Sequence, residues 1–303
     1  MLRRALLFLS ERQGLKDQLL RIPLFRRVAR RFVAGDTLPE ALGTARELNR
    51  DGFRVTLDLL GESVADRAMS TRAVKAYEES LTAIDGSDAE TTISLKLTQL
   101  GLEIDEGFCL DNLRRIVEHA ARLDNFVRID MEGSDHTGAT LSVFRRVFRD
   151  LDNVGVVIQS YLRRSRRDVE ELVDLGAPVR LCKGAYDEPP EVAYQDPEEV
   201  DASFVRLMEL LLDGGAPTAI ASHDERMIRA TWDHMEARGL ERGDVEFQML
   251  YGVRRELQRS IVDEGHPMRI YVPYGSEWYS YLMRRMAERP ANLWLVLRSL
   301  AGG

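Results

Sequence analysis

The sequence predicts an α/β protein whose catalytic part is a (β/α)8 barrel, and three observations predict it. From Phe53 onward, eight runs of β-branched and apolar residues alternate with amphipathic stretches of helical period, which implies parallel strands joined by crossover helices. The eight units fit into about 250 residues, the usual size of such a barrel. No Gly-x-Gly-x-x-Gly follows the first strand, so the phosphate loop of an open, doubly wound nucleotide-binding sheet is missing. At 303 residues the chain can bury a large core.

Residues 1–48 read as an N-terminal helical arm, rich in Arg and Leu and broken at Pro23, Gly35-Asp36 and Pro39. Residues 49–303 then form the barrel. The expected strands are Phe53–Leu59, Thr92–Thr98, Phe126–Met131, Val154–Gln159, Val179–Lys183, Thr218–Ser222, Val245–Leu250 and Met268–Val272, with helices such as Asp111–Leu123, Asp168–Leu175, Asp201–Leu212 and Asp224–Arg238 between them. After the last strand, Pro273-Tyr274-Gly275 reads as a turn and Ser276 as the N-cap of a final helix, with Glu277 suited to the helix dipole. On that helix Trp278, Tyr281, Leu282 and Arg285 share one face, and Arg284 and Glu288 the adjacent one. Adjacent Arg284 and Arg285 offer two planar forks to a carboxylate or phosphate.

Composition removes several function classes. Hydrophobic residues at 44% and charged residues at 30% match a soluble globular protein. A net charge of -8 disfavours nucleic acid as a partner, and the short Arg pairs at 163-164 and 166-167 read as solvated helix faces. Cys109 and Cys182 are far apart, which excludes a cysteine zinc site and a disulfide framework and fits a reducing compartment. The apolar start of the chain is too short for a signal peptide, and no run approaches the roughly 20 residues that span a bilayer. The five histidines are dispersed, so no metal site is expected, and there is no Gly-x-Ser-x-Gly nucleophile elbow. Cys182, inside a strand, reads as a buried structural thiol.

Strand alternation carries the functional signal. Ile93, Leu95, Val127 and Ile129 take the helix-facing positions, which turns Ser94, Lys96, Thr98, Arg128 and Asp130 inward. The same parity turns Gln159, Arg180, Gln248 and Tyr271 inward. The lumen of such barrels is normally apolar, and each buried polar group needs a partner. Lys96, Asp130, Gln159, Arg180, Lys183, Ser222, His223 and Tyr271 all fall near strand C-termini, where barrel active sites lie. This ensemble is cationic and suits a carboxylate substrate or a phosphate-bearing cofactor. With no metal ligands or nucleophile, redox chemistry carried by a cofactor is attractive. A non-catalytic barrel that binds an amino acid or phosphorylated metabolite is the alternative.

The segments Ile129-Asp130-Met131-Glu132, Val156 to Leu162, Arg180-Leu181-Cys182-Lys183-Gly184-Ala185-Tyr186, Tyr251-Gly252, and Tyr271 through Arg284-Arg285 together resemble the proline dehydrogenase family, from about residue 50 to about 300. The resemblance implies a distorted (β/α)8 barrel of TIM type, with the last barrel helix over the barrel mouth. It implies non-covalent FAD and the oxidation of L-proline to Δ1-pyrroline-5-carboxylate. Asp130 and Arg180 match catalytic residues of the family, with Arg180 near flavin N5. Lys96, Tyr186, Tyr271, Arg284, Arg285 and Glu288 match the proline pocket. Met131, Gln159, Lys183, Gly184, Ala185, Ser222 and His223 match FAD contacts, and Glu62 matches a carboxylate that closes a gate by pairing with Arg284. The family also implies a membrane quinone as electron acceptor and a cytoplasmic enzyme with peripheral contact at the inner face of the membrane. Nothing in the chain corresponds to an attached aldehyde dehydrogenase module or DNA-binding segment, so a separate pyrroline-5-carboxylate dehydrogenase is expected to take the product. The apolar stretch Ala291–Leu300 reads as a helix packed on the barrel or as a docking face.

Overall fold

A computed structural model describes residues 30–61, 63–278 and 281 of the chain. All eight expected strands form: β1 Arg54–Leu59, β2 Thr91–Leu95, β3 Val127–Ile129, β4 Val154–Gln159, β5 Val179–Cys182, β6 Thr218–Ala221, β7 Val245–Leu250 and β8 Met268–Tyr274. Each pairs in parallel with its sequence neighbour, and β8 closes on β1 from Arg54↔Arg269 to Leu59↔Tyr274. The fold is a closed TIM-type barrel.

Helix α1 (Leu38–Arg50) precedes β1, and α2 (Arg67–Asp85), α3 (Glu106–Arg122), α4 (Ser134–Phe148), α5 (Ser165–Asp174), α6 (Pro197–Asp213), α7 (Glu225–Arg238) and α8 (Arg255–Asp263) follow β1 to β7 in turn. Asp66, Asp105, Asp196 and Asp224 cap α2, α3, α6 and α7 by accepting from backbone N–H groups of the first turn. Such caps contribute about 1 kcal/mol each. The core lies between strands and helices, where Val55, Leu57, Ile93, Leu95, Val127 and Ile129 are buried as the alternation predicts. Burial of each is worth about 1.5–3 kcal/mol.

Strand and helix ends shift by a few residues, and three of the differences bear on the site. Strand β2 stops at Leu95, and Leu97–Leu100 forms a 3-10 turn closed by Gly101. Thr98 therefore leaves the strand pattern, and its hydroxyl donates to Glu132 Oε1 at 2.7 Å. Pro273 and Tyr274 belong to β8, not to a turn. Pro273 has no N–H to donate, and its carbonyl accepts from Ala34 N at 2.9 Å. Finally, the expected junction near residue 48 falls inside α1, which packs on β1 and β8 and sends Ala41, Leu42 and Ala45 into the main core.

The segment before α1 is also tied to the chain after β8. Gly275 N donates to Gly35 O at 3.0 Å, and Trp278 Nε1 donates to Asp36 Oδ1 at 3.1 Å. Trp278 and Tyr281 are buried; the rest of the expected final helix, with Arg284, Arg285 and Glu288, lies outside the described residues, as does Glu62. Gly252 takes φ +73°, and a Cβ there would overlap the backbone of Arg31. No helix among the described residues is long and apolar enough to cross a membrane.

Candidate active site

Strand parity places Asp58, Asp130, Arg180 and Tyr271 in the lumen near the strands' C-terminal ends, and Lys96 joins them from just beyond β2. Asp130 is their hub. Its Oδ1 accepts from Arg180 Nη1 at 2.8 Å, and its Oδ2 accepts from the Tyr271 hydroxyl at 2.6 Å and from Lys96 Nζ at 3.4 Å. Lys96 also donates to Asp58 Oδ1 at 3.0 Å. Arg180 is held by two further bonds, Nε to Gln248 Oε1 at 2.5 Å and Nη2 to Ser94 Oγ at 3.3 Å. Three of its five N–H donors are so occupied, leaving two for a ligand.

Burial sets the charge states here. It would pull the Lys96 ammonium down, but the Asp58 carboxylate, with Tyr271 and Asp130, holds it well above its ordinary value. Burial pushes the Asp58 carboxyl up, and Lys96 opposes that rise. Burial and the neighbouring Asp130 raise the Tyr271 hydroxyl well above its usual range, so it stays a proton donor to Asp130. Four of the residues read from the sequence, Lys96, Asp130, Arg180 and Tyr271, thus form one hydrogen-bonded cluster. Asp58 was not singled out, although the alternation that buries Val55 and Leu57 on the helix side turns it inward.

A second group lies beside the cluster, at the ends of β5 and β6. A pocket of about 270 Å³ is lined by Tyr161, Lys183, Gly184, Tyr186, Asp201 and Arg226, among others. Lys183 Nζ pairs with Asp201 and, at 2.7 Å, with Asp224. Arg226 pairs with the same two carboxylates at 2.7 and 2.8 Å. Burial would raise the Asp224 carboxyl, but bonds from Arg226 and Lys183 hold it well below the carboxylate range. Asp201, Asp224 and Arg226 escaped the sequence reading because they sit on a helix and a cap, where strand parity says nothing.

The remaining expected residues are dispersed around these groups. Gln159 Nε2 donates to Glu132 O at 2.9 Å, and Ser222 Oγ accepts from Asp224 N at 3.1 Å. His223 Nε2 accepts from Leu250 N at 3.0 Å. Met131 is buried in the main core, and Ala185 is half-buried next to Tyr186. Gly184 adopts φ +107°, and a Cβ would lie 2.2 Å from the ring of Tyr161. Its freedom is therefore needed by the packing of Tyr161 as well as by the turn. Cys182 is half-buried, whereas Cys109 is fully buried and its thiol is pushed up to about 12, mainly by burial.

The proline dehydrogenase family profile matches residues 41–296, most of the chain and all eight strands. The chain belongs to the proline dehydrogenase family. It is 41% identical over 300 residues to proline dehydrogenase 1 of Bacillus subtilis strain 168, covering 99% of both chains. It is 38% identical over 306 residues to the proline dehydrogenase of Deinococcus radiodurans, covering 99% of this chain and 98% of that one. Among solved structures, proline utilization A from Bdellovibrio bacteriovorus, inactivated by N-propargylglycine, superposes with a TM-score of 0.82 at 27% identity. That match covers 87% of this chain and 33% of the other, so the present chain spans about a third of the longer protein. The enzyme has proline dehydrogenase activity, serves proline catabolism and belongs to a flavin-dependent family.

Proposed function

We propose that the enzyme binds FAD non-covalently at the C-terminal face of the barrel and oxidises L-proline to Δ1-pyrroline-5-carboxylate. The observation that carries this reading is the convergence of Arg180, Lys96 and Tyr271 on Asp130 at the strand ends. The donor set beside it fits the cofactor: Lys183 and Arg226 supply two cations for a pyrophosphate, now balanced by Asp201 and Asp224. When bound there, FAD would supply a two-electron acceptor, its N5 being the atom to which the hydride of the proline ring would go.

In this reading Asp130 holds Arg180 in place, and the two uncommitted N–H groups of Arg180 face developing negative charge. Such fixed donors need no reorganisation during reaction, which is why they lower barriers. Lys96, held between two carboxylates, keeps a positive charge in the proline pocket beside Tyr271, and Tyr186, a wall residue of the Lys183 pocket, is assigned to it from the family. Arg284 and Arg285 take the substrate carboxylate, Glu288 orients them, and Glu62 closes the site by pairing with Arg284. Met131, Gln159, Gly184, Ala185, Ser222 and His223 complete the cofactor contacts. Electrons pass on to a membrane quinone at the inner face of the membrane, and a separate pyrroline-5-carboxylate dehydrogenase consumes the product.

The test is a visible spectrum of the purified enzyme before and after anaerobic addition of L-proline. Flavin bands that bleach with L-proline, and not with D-proline or glycine, are the expected result. Bands that persist with L-proline would overturn the substrate assignment, and protein that stays colourless after reconstitution with FAD would overturn the cofactor assignment.

A further inference from the structure

The opposite, N-terminal end of the barrel holds a second polar chamber, which shares the Arg180 side chain with the active end. It has a volume of about 320 Å³, and its walls come from the first residues of β2, β3, β5, β6, β7 and β8. Three guanidiniums, those of Arg128, Arg180 and Arg269, and two carboxylates, those of Asp244 and Glu246, line it.

Four of these five charges are engaged. Arg180 is bound to Gln248, Asp130 and Ser94. Arg269 forks onto Glu246 at 2.7 and 3.0 Å and donates through Nη1 to Val55 O. Glu246 is saturated further by Arg54 and Gln248, and Asp244 accepts from Glu241 N at 2.7 Å.

Arg128 is the exception. It is only 8% exposed, and its Nη1 donates to Pro178 O at 2.7 Å and Val156 O at 3.4 Å. Its ring neighbour is Phe126, 4.8 Å below the guanidinium carbon. Among the described residues no carboxylate pairs with it, and Nε and Nη2 have no hydrogen-bond partner. A buried cation without a counterion is costly. Burial, together with Arg180 and Arg269, pushes its pKa down to about 9 against the opposing pull of Glu246 and Asp130, neither of which reaches it as an ion pair.

The Nε and Nη2 edge of a guanidinium is a planar fork that matches two oxygens of one oxyanion. We propose that this basal chamber is an anion site, in which a small oxyanion such as inorganic phosphate or a short carboxylate is held by the free edge of Arg128. The chamber is wide enough for such a group. Glu246 does not repel it strongly, since its charge is already neutralised by Arg269 and Arg54.

The experiment uses flavin-saturated enzyme, so that the pocket around Lys183 is filled, and titrates inorganic phosphate at constant ionic strength against chloride. A saturable rise in Tm is expected, on the order of 5 °C at phosphate about a hundredfold above Kd. Arg128→Gln should abolish the rise. Ala219→Leu, which fills the chamber from a buried lining position and leaves Arg128 intact, should abolish it as well and keeps the test decisive if the first variant folds poorly. A flat titration of the wild type would mean that the chamber holds water only and would overturn the proposal. A rise that persists in Ala219→Leu would place the phosphate elsewhere and would also overturn it.

Discussion

Replacing Glu246 with glutamine removes the carboxylate shared by Arg54 and Arg269, and the size of the effect can be worked from the lumen. The carboxylate accepts at 2.7 and 3.0 Å from Arg269, at 3.0 Å from Arg54 and at 2.6 Å from Gln248. Burial alone would raise its pKa, but Arg269 and these bonds overcome burial and hold it at about 2, against an ordinary 4.5. A carboxylate depressed in the folded state contributes stability that is complete above 4.5 and disappears as pH falls through the folded value. At 1.36 kcal/mol per pH unit the contribution is about 3 kcal/mol. Urea unfolding of wild type and Glu246→Gln from pH 7 to pH 2 checks it. The two should differ by about 3 kcal/mol at pH 7, by roughly half as much at pH 3, and should converge as the pH falls to about 2. A difference that is absent at pH 7, or constant down to pH 2, would refute the reasoning.

Two other substitutions probe the active end. Asp58→Asn keeps the shape beside Lys96 but drops one of its two carboxylates, so kcat/KM for proline should fall about 10- to 100-fold, the kinetic equivalent of a hydrogen bond to a charged group; unchanged kinetics with normal flavin content would show that Asp58 does not position Lys96. Gly184→Ala should cost about 1–3 kcal/mol in urea unfolding, because alanine is strained at φ +107° and meets the Tyr161 ring; the double variant with Tyr161→Ala should recover the collision part, and a fully stable single variant would sink the account.

The barrel was legible because its signals are local and repeated. Eight strands with apolar residues at every second position leave little choice of fold, and the polar residues between them announced a lumen built for a ligand. That is why Lys96, Asp130, Arg180 and Tyr271 were found and are hydrogen-bonded to one another. What stayed hidden lies where periodicity gives out. Leu97–Leu100 turns into a 3-10 helix and carries Thr98 out of the strand pattern towards Glu132. Lys183 and Arg226 share Asp201 and Asp224 only because α6 and α7 begin side by side. The role of α1, wedged on β8 and β1, depends on where the two ends of the barrel meet, which no local pattern encodes.

The polar lumen also bears on how the chain can fold. Its charges take partners from distant strands: Arg180 from β5 needs Gln248 of β7, Tyr271 of β8 needs Asp130 after β3, and Arg269 of β8 donates to Val55 of β1, 214 positions away. In any barrel a half-closed sheet leaves backbone groups unpaired along its open edges. Here a barrel missing its last strand would also leave Glu246 without Arg269 and Asp130 without the Tyr271 hydroxyl. Pairing of β8 with β1 thus completes the polar lumen in the same step that completes the sheet.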